Sequence, residues 1–503
     1  MLDSIQPLKL DQLTLPAFSS LNTAEIVPTV ERLLTESKAV ITKLLDETDT
    51  PTWENFIVPL EDIEDQFHRY WSCVSHCHHV VDTPELRSSY NTCLPLISEY
   101  STWLSQNENL YNAINAIATS QQYEQLNVAQ KKAIDNALRD FRLAGVHLPL
   151  DKKQALAELD KQLSQLTSQF EQNLLDATQA WTLLITDEKQ LAGLPETALM
   201  AAKTAAQEKK MAGWLLNLEM PSYIAVMTYA DSRELRQKLY TAYVTRASDQ
   251  AHSADATKWD NSSVMEAILR CRYEKAQCLG FPDYPTYSLT PKMAKNPETV
   301  LGFLDDLTTA SVNKARQEFQ ELTDYAKEHH QIDELAAWDV AYYSEKLQKH
   351  RYDISQEELR PYFQADRVLS GLFAVVQRLY GLVITPVTDV DTWHPDVRCF
   401  AIHDDNKKLR AFFYIDLYSR KNKRGGAWMD ECQSRRILRD GSIQLPIALL
   451  TCNLNAPVGN HPALFTHDEV ITLFHEFGHG LHHMLTQIDV PEVAGINGVP
   501  WDA

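Results

Sequence analysis

Glycine is scarce in this 503-residue chain: there are 15, and eight of them fall at or after Gly425. With so little of the residue that opens left-handed turns, the first four-fifths has few tight turns to make and is expected to be mostly helix, with strands and turns gathered in the last fifth. Long apolar runs are also missing. No window approaches the roughly 20 apolar residues of a membrane-spanning helix, and residues 1–16 lack the basic-then-apolar pattern of a secretory signal. The eight cysteines include no C-x-x-C pair, which suits buried reduced thiols better than a disulfide framework and points to the cytoplasm. Basic charge is in deficit, 47 Lys and Arg against 68 Asp and Glu, for a net charge of -21. The acidic residues alternate with basic ones and form no tail, so a solvated surface is expected and nucleic acid is excluded as a natural partner. Neither a G-x-S-x-G elbow, a phosphate-binding loop nor a dinucleotide fingerprint occurs, which removes the common serine hydrolase, nucleotide and dinucleotide classes.

Three- and four-residue apolar spacing runs through 26–45, 129–143, 156–175, 264–279 and 300–325, each predicting an amphipathic helix. Strand-like runs appear at 181–185 and 214–218, then at 397–403, 409–417 and 443–455. The chain therefore reads as mainly α, with a small β-sheet shortly before its last helix. At this length it should form two or more lobes packed across sizeable surfaces, with breaks at Leu148-Pro149, Met220-Pro221 and Phe281-Pro282, where the residue before proline is pushed out of helical geometry.

His475-Glu476-Phe477-Gly478-His479 has the form H-E-x-x-H. Residues four apart on a helix lie one above the other, so two imidazoles at this spacing can converge on one cation, and Glu476 is the neighbour placed to take a proton from a water held there. Thr466-His467-Asp468-Glu469 precedes it in the form of a capping box, with Val470, Ile471, Phe474, Gly478, Leu481 and Leu485 as the expected apolar positions. Gly478 and Gly480 cost helix propensity, and the sequence accepts them where a close neighbour or substrate needs room. The alternative is a pair of partly buried core histidines with Glu476 on a solvated face.

A catalytic zinc usually has three protein ligands and one open position. A three-histidine site would require a glycine at 482 and a histidine at 485, where this chain has His482 and Leu485. Asp489, Glu492 and Asp502 are the carboxylates within sequence reach, and none stands out. Cys73, His76, Cys77, His78 and His79 form a second cluster, whose spacing fits no structural zinc module and is expected to be buried thiols beside surface histidines. Arg420, Lys421, Lys423 and Arg424 before Gly425-Gly426 read as a solvated basic turn, or alternatively as a grip for a peptide carboxylate. Tyr342, Tyr343, Phe412, Phe413 and Tyr414 are expected in the core.

The stretch Phe465–His483, together with Ser98–Trp103, Ala129–Phe141, Trp338–Lys346, Trp393–Arg398 and Asn422–Asp430, resembles the thimet oligopeptidase family, peptidase family M3, across essentially the entire chain. The resemblance implies a multi-helix, two-lobed peptidase around a deep, narrow channel that admits short peptides. It implies an N-terminal helical region at 1–230 and a catalytic region at 231–503. It also implies one zinc ion held by His475 and His479, with Glu476 as catalytic carboxylate and no obligate protein partner. The family's third ligand is a Glu roughly thirty residues beyond the first His, a position past Ala503, as are the Tyr and His side chains that bind substrate. The expected activity is hydrolysis of short oligopeptides, with residues 1–503 alone binding zinc weakly and turning over little. Two other readings are a non-catalytic helical peptide-binding protein and a related zinc carboxypeptidase or dipeptidase.

Overall fold

In the computed structural model, residues 15–251, 256–459 and 461–500 are described. The molecule is mainly α, with one five-stranded sheet and two small two-stranded ones among the described residues. The five expected helices are Thr23–Glu47, Val128–Leu143, Leu150–Ala180, Ser262–Cys278 and Pro297–His330. Side-chain caps set several starts: Asn22 accepts from the Ala24 amide, Asn127 forms a capping box with Gln130, and Asn296 accepts from the Thr299 amide. The proline junctions mark helix starts: Pro149 is the N-cap of Leu150–Ala180, and Pro221 lies in the first turn of Met220–Tyr229.

The strands in chain order are β1 (Thr182–Ile185), β2 (Trp214–Asn217), β3 (Val383–Val387), β4 (Arg398–His403), β5 (Leu409–Tyr418), β6 (Trp428–Gln433), β7 (Arg436–Ile437), β8 (Ile443–Gln444) and β9 (Ile447–Leu454). The single run expected at 443–455 is split into β8 and β9 around Leu445-Pro446, because proline has no amide for the ladder. Reading for alternation misses β3, which contains Pro386 and sits at a sheet edge, and the mixed-polarity β6 at the other edge.

The large sheet has the order β3-β4-β5-β9-β6, with β5 and β9 parallel and the other neighbours antiparallel. Period-two alternation divides its side chains between two cores. Phe400, Ile402, Phe413, Ile415, Ala448 and Leu450 pack with the helices Ala365–Tyr380 and His467–Met484. Cys399, Ala401, Phe412, Tyr414, Ile447 and Leu449 pack instead with Thr23–Glu47, Val58–Val80 and Pro84–Ser105. The sheet is thus sandwiched between N-terminal helices and the helix that carries H-E-x-x-H. Tyr342, Tyr343, Phe412, Phe413 and Tyr414 are all buried.

Candidate metal centre

The helix His467–Met484 starts with the expected capping box: Thr466 Oγ1 accepts from the Glu469 amide at 3.1 Å, and Glu469 Oε2 accepts from the Thr466 amide at 2.8 Å. Glu469 does more than cap. Its Oε1 accepts from both the backbone amide and the side-chain amide of Asn455, at 2.9 and 2.7 Å, which ties the helix start to the end of β9. Asn455 carried no sequence signal, because its partner lies 14 residues away and only the fold brings them together.

The buried face of this helix differs from the expected one. Leu473, Phe477, Gly480 and Met484 are buried, whereas Ile471, Phe474, His475 and Gly478 lie on an exposed face. The helix rotates because the 473/477/480/484 stripe meets β9: a Cβ added to Gly480 would lie 3.0 Å from Leu450 Cδ2, so glycine there permits close approach. A Cβ on Gly478 would meet nothing within 4 Å. The apolar Ile471 and Phe474 consequently share the open face with His475.

His475 and His479 converge. Their Nε2 atoms are 3.2 Å apart, with ring planes at 88° and centroids 4.8 Å apart. Two nitrogens bound tetrahedrally to one zinc at 2.0–2.1 Å would stand about 3.3 Å apart, so the pair fits such an ion without rotamer change. Glu476 lies on the buried side. Burial raises its carboxyl above the ordinary carboxylate range, with His475 and His479 pulling weakly the other way. Behind the motif, His483 is fully buried with its Nε2 3.1 Å from the Gln433 carbonyl of β6. Gly495, at φ +54°, lies against that ring, where a Cβ would come within 2.9 Å of Nδ1.

Among the described residues, no group of three or more His, Cys, Asp or Glu side chains converges in a metal-holding arrangement. Asp489 Oδ1 is 2.7 Å from Arg435 Nε, and Glu492 lies beside Glu61, whose carboxyl burial and Glu492 push up to about 9. Asp502 lies outside the described residues.

The other histidine cluster takes a different form from the one expected. His76 and His78 are buried, not at the surface. His76 has no hydrogen-bond partner and sits edge-on to Trp393 at 4.3 Å, its pKa pushed down to about 3 by burial. His78 stacks on Tyr90, with Nδ1 3.1 Å from Asp82 Oδ1. The basic turn is solvated as expected at Lys421 and Arg424, but not at Arg420 and Lys423. Lys423 is buried, donating to Asp416 Oδ1 at 2.7 Å, the Cys452 carbonyl at 2.6 Å and the Tyr418 carbonyl at 2.8 Å, while Arg420 donates twice to Asp416 at 2.6 Å. Trp393 Nε1 completes the Asp416 shell at 2.8 Å. Asp416, on the central strand β5, has consumed these cations, which a reading of local charge could not foresee.

A helix bearing H-E-x-x-H, packed on a mixed sheet with both imidazoles turned to one open face, is the arrangement of a metallopeptidase. The comparisons identify which: the Peptidase family M3 model matches residues 226–503 and the Neurolysin/Thimet oligopeptidase N-terminal domain model matches residues 30–154, so the chain belongs to peptidase family M3. It is 52% identical to Oligopeptidase A of Escherichia coli K12, over 97% of this chain and 72% of that protein. It is 53% identical to Oligopeptidase A of Haemophilus influenzae, over 97% and 71%. Against Dipeptidyl carboxypeptidase of Escherichia coli K12 the identity is 28%, over 96% and 70%. No helix among the described residues is long and apolar enough to cross a membrane.

Proposed function

We propose that the protein is a zinc-dependent oligopeptidase that hydrolyses short peptides in the cytoplasm, with its catalytic region at 231–503 following an N-terminal helical region at 1–230. The observation that carries this reading is the 3.2 Å approach of the two Nε2 atoms on a helix fixed at its start by Thr466 and Asn455 and along its length by β9. His475 and His479 would hold the metal, with a third, carboxylate ligand from outside the described residues. When bound, zinc lowers the pKa of a water toward about 7 and polarises the scissile carbonyl. Glu476, next to His475 on the same helix, accepts the proton of the attacking water and returns it to the departing amine. Ile471 and Phe474 give the open face an apolar surface on which substrate can lie.

The test is Glu476→Gln in the full-length protein carrying the third ligand, since residues 1–503 alone are expected to turn over little. Zinc affinity by calorimetric titration should stay within about twofold of the parent, while peptide turnover falls by about 10³-fold or more; a variant that cleaves as fast as its parent would remove Glu476 from the mechanism. Similarity to a dipeptidyl carboxypeptidase favours a second reading, removal of C-terminal dipeptides. Mass spectrometry of the fragments from a ten-residue peptide distinguishes internal from terminal cutting.

A further inference from the structure

Two adjoining cavities, of about 220 and 330 Å³, share Pro221, Arg360 and Asn455 as wall residues and are treated together as one groove. The smaller opens beside the metal-motif helix: Thr472 lines it, one turn before His475 and Glu476, facing Met220 and Ile224. Met220 and Ile224 are exposed large apolar side chains at i and i+4 on the helix Met220–Tyr229, so they present one apolar patch to this end of the groove. The larger cavity carries Glu219 and Ser419 on its wall. Glu219 is the N-cap residue of that same helix, yet its carboxylate does not cap it. It reaches across to a residue 200 positions away, where Oε2 accepts from Ser419 Oγ at 3.1 Å. Among the described residues it has no ion-pair partner within 4 Å, and burial raises its pKa with no cation opposing. Arg360, the basic residue shared by both cavities, already donates to Glu357 and to the Leu464 carbonyl. The groove therefore runs from the flank of the metal-motif helix at Thr472, past an apolar patch, to a half-buried carboxylate with no ion-pair partner among the described residues.

We propose that Glu219 is a specificity residue, recognising a cationic nitrogen of the bound peptide, either its α-ammonium or a Lys or Arg side chain, while the Met220 and Ile224 patch takes an intervening apolar side chain. This rests on the peptidase reading for its substrate class. A carboxylate kept partly from water by the groove gains more from a cation than an exposed one would, and loses little on desolvation because it is already half-buried. The cation would replace water at the carboxylate oxygens not used by Ser419.

The experiment measures binding with cleavage disabled. In the Glu476→Gln chain, fluorescence anisotropy would follow three labelled peptides of one apolar sequence: one with a free N-terminus and no Lys or Arg, one acetylated with neither, and one acetylated with a single lysine. Adding Glu219→Gln should raise Kd about tenfold for whichever cation-bearing peptide uses the site and leave the acetylated, cation-free peptide unchanged, and the peptide affected identifies the source of the cation. Glu219→Asp should restore part of the loss. Equal weakening of all three peptides, no weakening of any, or no binding of any would overturn the proposal. Because the readout is binding, a peptidase reading that failed would show as absent turnover in the full-length protein carrying the third ligand, with the Glu219 discrimination intact.

Discussion

The helix Val58–Val80 carries His68, His76, His78 and His79, and the helix His467–Met484 carries His467, His475, His479, His482 and His483, so both are rich in histidine. The structure separates them by surroundings. On the first helix, packing on the sheet encloses His76 between Phe18 and Trp393, and His78 is taken by Asp82 and Tyr90. On the second, the sheet takes the stripe of Leu473, Phe477 and Gly480, which turns His475 outward and brings it to His479. Histidines on a helix are left at an open face when the core has another stripe to bury; otherwise they become core.

The largest effect that could break this contrast is loss of metal. His475→Ala should reduce zinc affinity by 100-fold or more with unfolding stability nearly unchanged, because the ring lies on an exposed face. His76→Leu should leave zinc affinity untouched. If instead His76→Leu lost the metal and His475→Ala kept it, the assignment of the two clusters would be reversed.

Next in size is the Asp416 node between them. Asp416→Asn leaves Lys423 buried without its counter-charge and should destabilise by about 3–5 kcal/mol in urea unfolding at neutral pH. Burial lowers Lys423 to about 8 despite Asp416, and the variant should lower it further. A loss under about 1 kcal/mol would show that water reaches the node.

The pH dependence sharpens the comparison further. With His76 near 3 in the folded state and about 6.5 unfolded, the unfolded chain takes up a proton across that window that the folded chain refuses. Stability is therefore full above about pH 6.5 and falls on acidification by up to about 1.4 kcal/mol per pH unit toward 3. His76→Leu should flatten that limb relative to the parent, and parallel curves would mean His76 is protonated in the native state. The smallest effect concerns the two helix glycines. Gly478→Ala should stabilise by up to about 1 kcal/mol, because its face is open, whereas Gly480→Ala should stabilise less or destabilise, because its Cβ would press on Leu450. Identical thermal shifts for the two would contradict the packing described for this helix.

The capping box at Thr466 was readable because its partners are three residues apart, and the H-E-x-x-H spacing was readable because helical periodicity alone stacks the two rings. The rotation of the helix was not, since Ile471 and Phe474 look as suited to a core as Leu473 and Phe477, and only Leu450 on β9 distinguishes the stripes. The basic turn misled for a similar reason: Lys423 and Arg420 look solvated until β5 delivers Asp416 beneath them.

What the amino-acid order determined by itself is therefore local: the helices, their caps, the spacing that stacks His475 on His479, and the motifs that tie the chain to its family. Tertiary structure decided which histidines face outward, where the cations of Arg420 and Lys423 are spent, and that Glu219 and Ser419 meet beside the groove. The division follows from range, because a hydrogen bond or helical turn within four residues is encoded in adjacent side chains, while burial and charge pairing depend on what the rest of the chain brings to the same place.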